Sequence, residues 1–230
     1  MEWETGDIDF IRYQEEILST IRHELGNSVN ALKVTLDVLH ENYDQFDDEK
    51  RKIYVKRGLS LLTRQQDMVE AMKSYAVPPV SPLEEIDFIS FWEHFKKIAE
   101  AGLKDRNINL ICTQDIGNCM VRGYSPALEQ ALNHLLDNAV EAVMDTPDPE
   151  VALTVSRHET TLVIVVRDYG PGIGEEDMRR VFIPLYTTKP GKRGMGLPVA
   201  RRLLAEMGGR LDVETGKGGG IQARVRLDIN

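Results

Sequence analysis

The stretch TLVIVVRDYGPGIG, Thr161–Gly174, joins a run of aliphatic residues directly to a glycine-rich segment. Its first part, up to Val166, has the β-branched composition that is typical of a buried strand. Glycines permit backbone conformations that other residues avoid, and they allow a ligand to approach the chain closely. Asp168 comes at the end of the strand, where its carboxylate can accept a hydrogen bond from a bound group. A simple glycine-rich turn would show the same pattern, since short glycine motifs recur by chance.

The rest of the chain after Leu83 has the pattern of a mixed α and β domain. Helices are predicted at Phe91–Leu103, Ser125–Met144 and Leu197–Met207. Strands are predicted at Ile108–Cys112, Val151–Ser156, Thr161–Val166, Arg210–Glu214 and Ile221–Leu227. The second and third strands are separated by RHETT, which suits a hairpin. For the second helix we expect Ser125 as the N-cap residue and Pro126 in the first helical position.

The first 76 residues contain no proline and have a helical pattern. Apolar residues recur at helical spacing at Ile17, Ile21, Leu25, Leu32, Leu36 and Leu39. A second apolar run extends from Ile53 to Met72, and the polar stretch ENYDQFDDEK between the runs suits a turn. We therefore predict an antiparallel helical hairpin. Two helices cannot enclose a core, so a homodimer that forms a four-helix bundle is the simplest way to bury their apolar faces.

The segment AVPPVSP separates these two parts. Its three prolines disfavour helix and favour an extended linker. The expected architecture is therefore α+β, with a helical hairpin at residues 1–76, a linker at 77–82, and an α/β sandwich with a mixed sheet at 83–230.

Length and composition exclude several classes of protein. The 230 residues include 28 Lys and Arg against 37 Asp and Glu, and this net charge of −9 argues against a general nucleic-acid binder. The longest aliphatic run, Leu162–Val166, is far shorter than the ~20 residues that span a bilayer. The first residues lack the basic and then apolar order of a secretory signal. Cys112 and Cys119 form no disulfide framework and are typical of thiols in a reducing cytoplasm.

A candidate nucleophile lies in IRHELGNSVNAL, Ile21–Leu32. At about 100° per residue, His23 faces away from the apolar stripe, and Asn27 shares its face. A carboxylate such as that of Glu24 can keep one imidazole nitrogen protonated and leave the lone pair of the other free. A solvated surface histidine without a chemical role is the alternative.

Two further segments suit a magnesium ion and a phosphate. In LNHLLDNAVEAV, the polar residues His134, Asn138 and Glu141 share one helix face. An asparagine carboxamide with neighbouring polar groups suits Mg²⁺, which prefers oxygen ligands, unless the face is simply solvated. In FIPLYTTKPGKRGMGLPVA, residues 182–200, glycines and basic residues precede a helix, whose first amides favour phosphate. A mobile basic loop is the alternative for this second segment.

In this order, the segments resemble the sequence boxes of the sensor histidine kinase core, and the match extends from Ile11 to Leu227. IRHELGNSVNAL resembles the H box, LNHLLDNAVEA the N box, DYGPGIG the first glycine box, FIPLYTTK the F box and GKRGMGL the second glycine box. The C-terminal part resembles the wider ATPase group, with its Bergerat-like fold, that includes gyrase and the large heat-shock chaperone. The resemblance implies a dimeric kinase that uses ATP and Mg²⁺ to phosphorylate itself and then an aspartate of a response regulator receiver.

The resemblance also implies a role for each matching residue. His23 would be the phosphoacceptor, Glu24 the general base, and Asn27 the residue that orients water to hydrolyse a phosphorylated receiver. Asn138 would ligate Mg²⁺, and Asp168 would bind the adenine amino group. The remaining residues would contact the nucleotide. Thr187, Thr188 and Lys189 would form a lid near the phosphates, and the nucleotide loops would include Gly170, Gly172, Gly174, Gly194, Gly196 and Leu197.

The sequence departs from the family pattern at several positions. Ser28 stands where the H box usually has proline, and His134 where the N box usually has its first asparagine. Lys192 and Arg193 replace a usual Gly-x pair. These departures leave open a nucleotide-binding pseudokinase or phosphotransfer scaffold, whereas the hairpin with HELGN disfavours the ATPase and serine-kinase branch of the fold.

Overall fold

The computed structural model describes residues 3–75, 83–189, 192 and 194–229. By its internal contacts the chain divides into two compact units, residues 1–77 with 183–195 and residues 78–182 with 196–230. The linker predicted at 77–82 lies outside the described residues. None of the helices that the structure describes combines the length and apolarity that a membrane crossing requires.

The first unit contains the two predicted helices, α1 (Trp3–Glu41) and α2 (Asp48–Tyr75). The Asp47 carboxylate accepts a hydrogen bond from the backbone amide of Lys50 at 2.8 Å and so caps the start of α2. Gly58 lies where the helices pack, because a Cβ atom there would be 3.7 Å from side-chain carbons of both Leu32 and Leu36. The helices therefore form the antiparallel hairpin that the sequence predicts.

The hairpin leaves apolar side chains exposed at helical spacing. On α2, Leu59 is 59% exposed and Leu62 is 44% exposed, and Val55 and Val69 share this face. Ile21 and Met68, by contrast, are almost completely buried. A single hairpin thus buries only part of its apolar surface.

The second unit is an α/β sandwich with a mixed sheet. Its five-stranded sheet has the order β2-β4-β5-β7-β6, in which β2 and β4 are parallel and the other pairs are antiparallel. A separate antiparallel pair joins β1 to β3. The elements are β1 Glu84–Asp87, α3 Phe88–Lys104, β2 Asn109–Asp115, β3 Met120–Gly123, α4 Ser125–Val143, β4 Glu150–His158, β5 Thr161–Asp168, α5 Glu175–Met178, α6 Gly196–Glu206, β6 Arg210–Thr215 and β7 Ile221–Asp228.

Along the central strands, buried residues alternate with more exposed ones, and this pattern explains why one face of the sheet packs against the helices. In β5 every second residue from Leu162 to Asp168 is buried and the residues between are half-buried, and β4 alternates in the same way. Helices α3, α4 and α6 pack on the sheet and α4 contacts both others, so the core lies between one helical layer and one sheet. The carboxyl end of β5 and the polar face of α4 are placed by this packing.

Two helix starts differ from the sequence expectation. The N-cap of α4 is Tyr124, whose backbone is extended at φ −130° and ψ 111°, so the prediction of Ser125 as the cap was wrong. Helix α3 begins at Phe88, three residues before the predicted start, because Asp87 caps it by accepting hydrogen bonds from the amide and the hydroxyl of Ser90. The hydrogen bonds from Ser90 lower the pKa of Asp87.

Candidate functional site

His23 lies on the outer face of α1. Its side chain is exposed, whereas Ile21, two residues earlier, is completely buried. Asn27 is exposed one turn later, and its Nδ2 atom is 3.2 Å from His23 Nδ1. The helix therefore presents an imidazole and a carboxamide together on one accessible face, which agrees with the orientation calculated from helical geometry.

The carboxylate of Glu24 is directed towards the other helix of the hairpin. Its Oε2 atom accepts a hydrogen bond from Arg64 Nη2 at 3.2 Å. Adjacent residues of a helix do not face each other, so the carboxylate and the His23 ring diverge from the backbone. Of the proposed catalytic residues, the structure thus brings His23 and Asn27 into contact, and it pairs Glu24 with Arg64.

Asp168 is the buried carboxylate at the end of β5. Only 4% of the residue is exposed, and its Oδ1 atom accepts hydrogen bonds from the amides of Gly170 at 2.9 Å and Ile221 at 3.1 Å. Two backbone amides therefore fix the orientation of the carboxylate and tie the glycine segment to the start of β7.

The three glycines after β5 have different structural roles. A Cβ atom at Gly170 would lie 2.5 Å from the backbone oxygen of Ala142, so this glycine allows the segment to pack on α4. Gly172 has φ +73°, in the left-handed region that favours glycine, and it faces Gly220 with room for a Cβ atom. Gly174 has an ordinary φ of −68° as the N-cap of α5, and no contact there requires glycine.

The polar face of α4 lies against the first residue of α6. A Cβ atom at Gly196 would be 3.4 Å from Asn138 Nδ2 and 3.8 Å from His134 Nδ1. Burial lowers the pKa of His134, and the nearby Asp137 carboxylate opposes this effect. The predicted Asn138, Gly196 and Leu197 therefore belong to one region, in which the start of a helix of 11 residues faces a carboxamide.

The lid residues belong to the other compact unit, within segment 183–195. The Leu185 amide donates to the Gly194 carbonyl at 3.1 Å, and Gly194 has φ +65°, where a Cβ atom would collide with the Tyr186 carbonyl. Thr187 Oγ1 accepts from the Lys189 amide at 3.1 Å, and Thr188 is exposed. The structure thus places these lid residues in a different unit from Asn138 and Asp168, and the residues Gly191 and Arg193 lie outside the described part.

Sequence reasoning missed two residues of these sites. Arg64 is 40 positions from Glu24, and only the register of the hairpin brings the two together. Gly220 has φ +70° and packs against the backbone oxygen of Asp168. The run GKGGG at residues 216–220 indicates a turn but does not show that Asp168 is its neighbour.

Comparison with known proteins identifies the domain that holds Asp168. Residues 123–230 match the family described as histidine kinase-, DNA gyrase B-, and HSP90-like ATPase. The chain is 25% identical to the C4-dicarboxylate transport sensor protein DctB of Pseudomonas aeruginosa, over 98% of the chain and 39% of that protein. It is 24% identical to the sensory histidine kinase/phosphatase NtrB of Rhizobium leguminosarum, over 86% of the chain and 54% of that protein. The chain thus spans about half or less of the length of these relatives.

A solved structure shows the same fold along the chain. This structure is the histidine kinase ThkA, solved in complex with the response regulator protein TrrA. The match covers 99% of this chain and 67% of the ThkA chain, with a TM-score of 0.62 and 21% sequence identity. At this identity the likeness establishes the fold.

Proposed function

Since the chain is a member of the sensor histidine kinase family, we propose that it is a competent kinase core of a two-component system. ATP donates its γ-phosphoryl group to a ring nitrogen of His23, and the group then passes to an aspartate of a response regulator receiver domain. The reaction is a phosphoryl transfer, in which positioning and charge stabilisation provide most of the catalysis. The observation that carries the proposal is the exposed His23 ring, in contact with Asn27 on the face opposite the buried Ile21.

The second unit supplies the nucleotide site in this proposal. Two backbone amides orient the buried carboxylate of Asp168. A carboxylate held in this way can accept a hydrogen bond from the amino group of adenine. Gly172 and Gly174 leave room for a close approach of the base, and the first amides of α6 beside Asn138 suit phosphate. Thr187, Thr188 and Lys189 carry hydroxyl and ammonium groups, which can donate hydrogen bonds to phosphate.

The donor set on α4 fits magnesium. The described residues include no cluster of three or more His, Cys, Asp or Glu that could hold a metal ion alone. Mg²⁺ usually binds through one or two protein oxygens together with phosphate and water, and the Asn138 carboxamide offers such an oxygen. When bound, the ion neutralises charge on the phosphates, while Asn138 and the α6 amides orient them.

The exposed face of the hairpin supports a homodimer as the working form. Val55, Leu59, Leu62 and Val69 recur at helical spacing and are each at least 44% exposed. Pairing this face with that of a second chain would form a four-helix bundle and bury the side chains. The two free cysteines agree with a cytoplasmic setting.

Labelled ATP tests the proposal directly. Incubation with Mg²⁺ and γ-labelled ATP should place acid-labile phosphate on the wild-type chain and on His40→Gln, and none on His23→Gln. His40 is a matched control, because it is an exposed histidine on the same helix. Nucleotide binding without label would instead indicate a phosphotransfer scaffold, and release of inorganic phosphate alone would indicate an ATPase.

A further inference from the structure

Arg167 comes directly before Asp168 in β5 but lies on the other face of the sheet. Successive side chains of a strand point to opposite faces, so Asp168 is buried on the helical side and Arg167 is half-buried on the opposite side. The Arg167 Nη2 atom donates a hydrogen bond to the carbonyl oxygen of Lys217, in the turn between β6 and β7. The guanidinium carbon also lies 4.5 Å from the centre of the Tyr169 ring. One side chain thus contacts both the turn and the residue that follows Asp168.

The turn that Arg167 contacts, residues 216–220, consists almost entirely of glycine. Its last three residues have φ values of +88°, +106° and +70°, all in the left-handed region. Glycine loses more conformational freedom on folding than any other residue, so a turn of this composition depends on outside contacts to keep one conformation. A Cβ atom at Gly216 would lie 3.2 Å from Arg167 Nε, which shows that the guanidinium lies close along the backbone of the turn.

Asp168 holds the other end of the same turn. Gly220 packs directly against the backbone oxygen of Asp168, and the Ile221 amide donates to its Oδ1 atom at 3.1 Å. Arg167 and Asp168 therefore contact one turn from the two faces of the sheet, Arg167 near its start and Asp168 at its end. If the turn moved at Lys217, the Ile221 amide would move with it, and the carboxylate would lose one of the backbone amides that orient it.

We propose that Arg167 is a positioning residue that fixes the turn at residues 216–220 and thereby makes the nucleotide site selective for adenine. This inference rests on the function proposed above. Adenine presents an amino donor at the position where guanine presents a carbonyl acceptor. A carboxylate of fixed orientation accepts a hydrogen bond from the first and repels the second, whereas a carboxylate that can turn away loses part of this difference.

Hydrogen exchange measures how firmly the turn is held, without any nucleotide. In the full chain, Arg167→Met keeps a long side chain but loses the donor to Lys217. The Ile221 amide should exchange up to about tenfold faster in this variant, the range that one net hydrogen bond can supply. The amide of Val225, in the middle of the same strand, should exchange as in the wild type, and Arg167→Lys should restore most of the protection of Ile221. An unchanged Ile221 exchange rate in Arg167→Met would overturn the proposal.

Calorimetric titration with non-hydrolysable ATP and GTP analogues measures the selectivity. Arg167→Met should lower the ratio of ATP affinity to GTP affinity by up to about tenfold. A side chain that contributed to stability alone would change both affinities alike and leave this ratio unchanged. Arg224→Met is the matched control and should keep the wild-type ratio, because Arg224 lies on the same face of the sheet and is paired with Glu214 at 2.9 Å.

The two measurements separate failure of this inference from failure of the proposed function. A wild-type affinity ratio in Arg167→Met would contradict the selectivity, and the nucleotide site would still stand because the ATP analogue binds. If the wild type binds neither analogue, the nucleotide site and its selectivity are both refuted. The exchange rate of the Ile221 amide then still decides whether Arg167 fixes the turn.

Discussion

The backbone amide of Ile221 donates a hydrogen bond to the Asp168 carboxylate at 3.1 Å and so joins the end of β5 to the start of β7. The same oxygen accepts from the Gly170 amide at 2.9 Å. Fifty-three positions separate Asp168 from Ile221, so the carboxylate connects the glycine segment to a distant strand. The Asp168 side chain thus links these two segments, and their amides fix the orientation of its carboxylate.

These two roles of Asp168 can be separated by substitution. Asp168→Asn retains an oxygen that accepts from both amides but loses the negative charge, so nucleotide affinity should fall at least about tenfold with little loss of stability. Asp168→Ala leaves two buried amides without an acceptor and should lower the free energy of unfolding by about 1–3 kcal/mol for each. Calorimetric titration with a non-hydrolysable ATP analogue and urea denaturation measure the two effects. Unchanged nucleotide affinity in Asp168→Asn would remove the residue from the site.

The Asn138 carboxamide should matter for Mg²⁺-dependent binding and little for folding. It is half-buried on the polar face of α4, whereas Leu132 and Leu136 are buried on the other side of the helix. Asn138→Ala should therefore strongly lower the affinity for the ATP analogue, measured by calorimetric titration in the presence of Mg²⁺. Asn133 is a half-buried asparagine on the same helix, so Asn133→Ala serves as the control and should keep the wild-type affinity. Equal affinities in the two variants would assign Asn138 to a solvated face.

The residues that sequence reasoning identified correctly are those whose pattern is local. Alternation in β4 and β5 and the helical period of α4 report directly on a buried face, so these elements appear as predicted. Strands β1 and β3 have four residues each, too few for a period to show. The pairing of Glu24 with Arg64 depends on the register of two helices, and the packing of Gly170 on Ala142 depends on how β5 meets α4. Such contacts join distant segments, and no single segment contains the information.

His134 should make stability sensitive to acid. Burial lowers its pKa below the ordinary value of 6.5, so the unfolded chain binds its proton at higher pH than the folded chain does. The contribution of the neutral ring is fully present above pH 6.5 and is lost as the pH falls below that value. His134→Gln should therefore show a smaller loss of unfolding free energy between neutral and mildly acidic pH than the wild type. His94→Gln, at an exposed position on α3, should retain the wild-type loss, and an equal loss in both variants would contradict the prediction.

The exposed face of α2 should hold the dimer together. Leu62 is 44% exposed in the single chain, and Leu62→Glu would place a charge in the proposed bundle. We expect sedimentation to show a dimer for the wild type and for Lys56→Glu, an exposed charge change on the same helix, and a monomer for Leu62→Glu. A Leu62→Glu dimer as tight as that of the wild type would place the interface elsewhere.

The contact of Asn27 with His23 predicts a second activity that can be separated from the first. A receiver that docks to accept phosphate from His23 also meets the Asn27 carboxamide, because the two side chains are in contact one turn apart. A carboxamide can orient a water molecule in line with a phosphoryl group without acting as the nucleophile. Asn27→Ala should therefore retain most autophosphorylation but lose most of its acceleration of phosphoreceiver decay. Asn30→Ala, an exposed asparagine on the same helix, is the control and should accelerate decay as the wild type does. If Asn27→Ala accelerates decay as the wild type does, hydrolysis of the phosphoreceiver does not use this carboxamide.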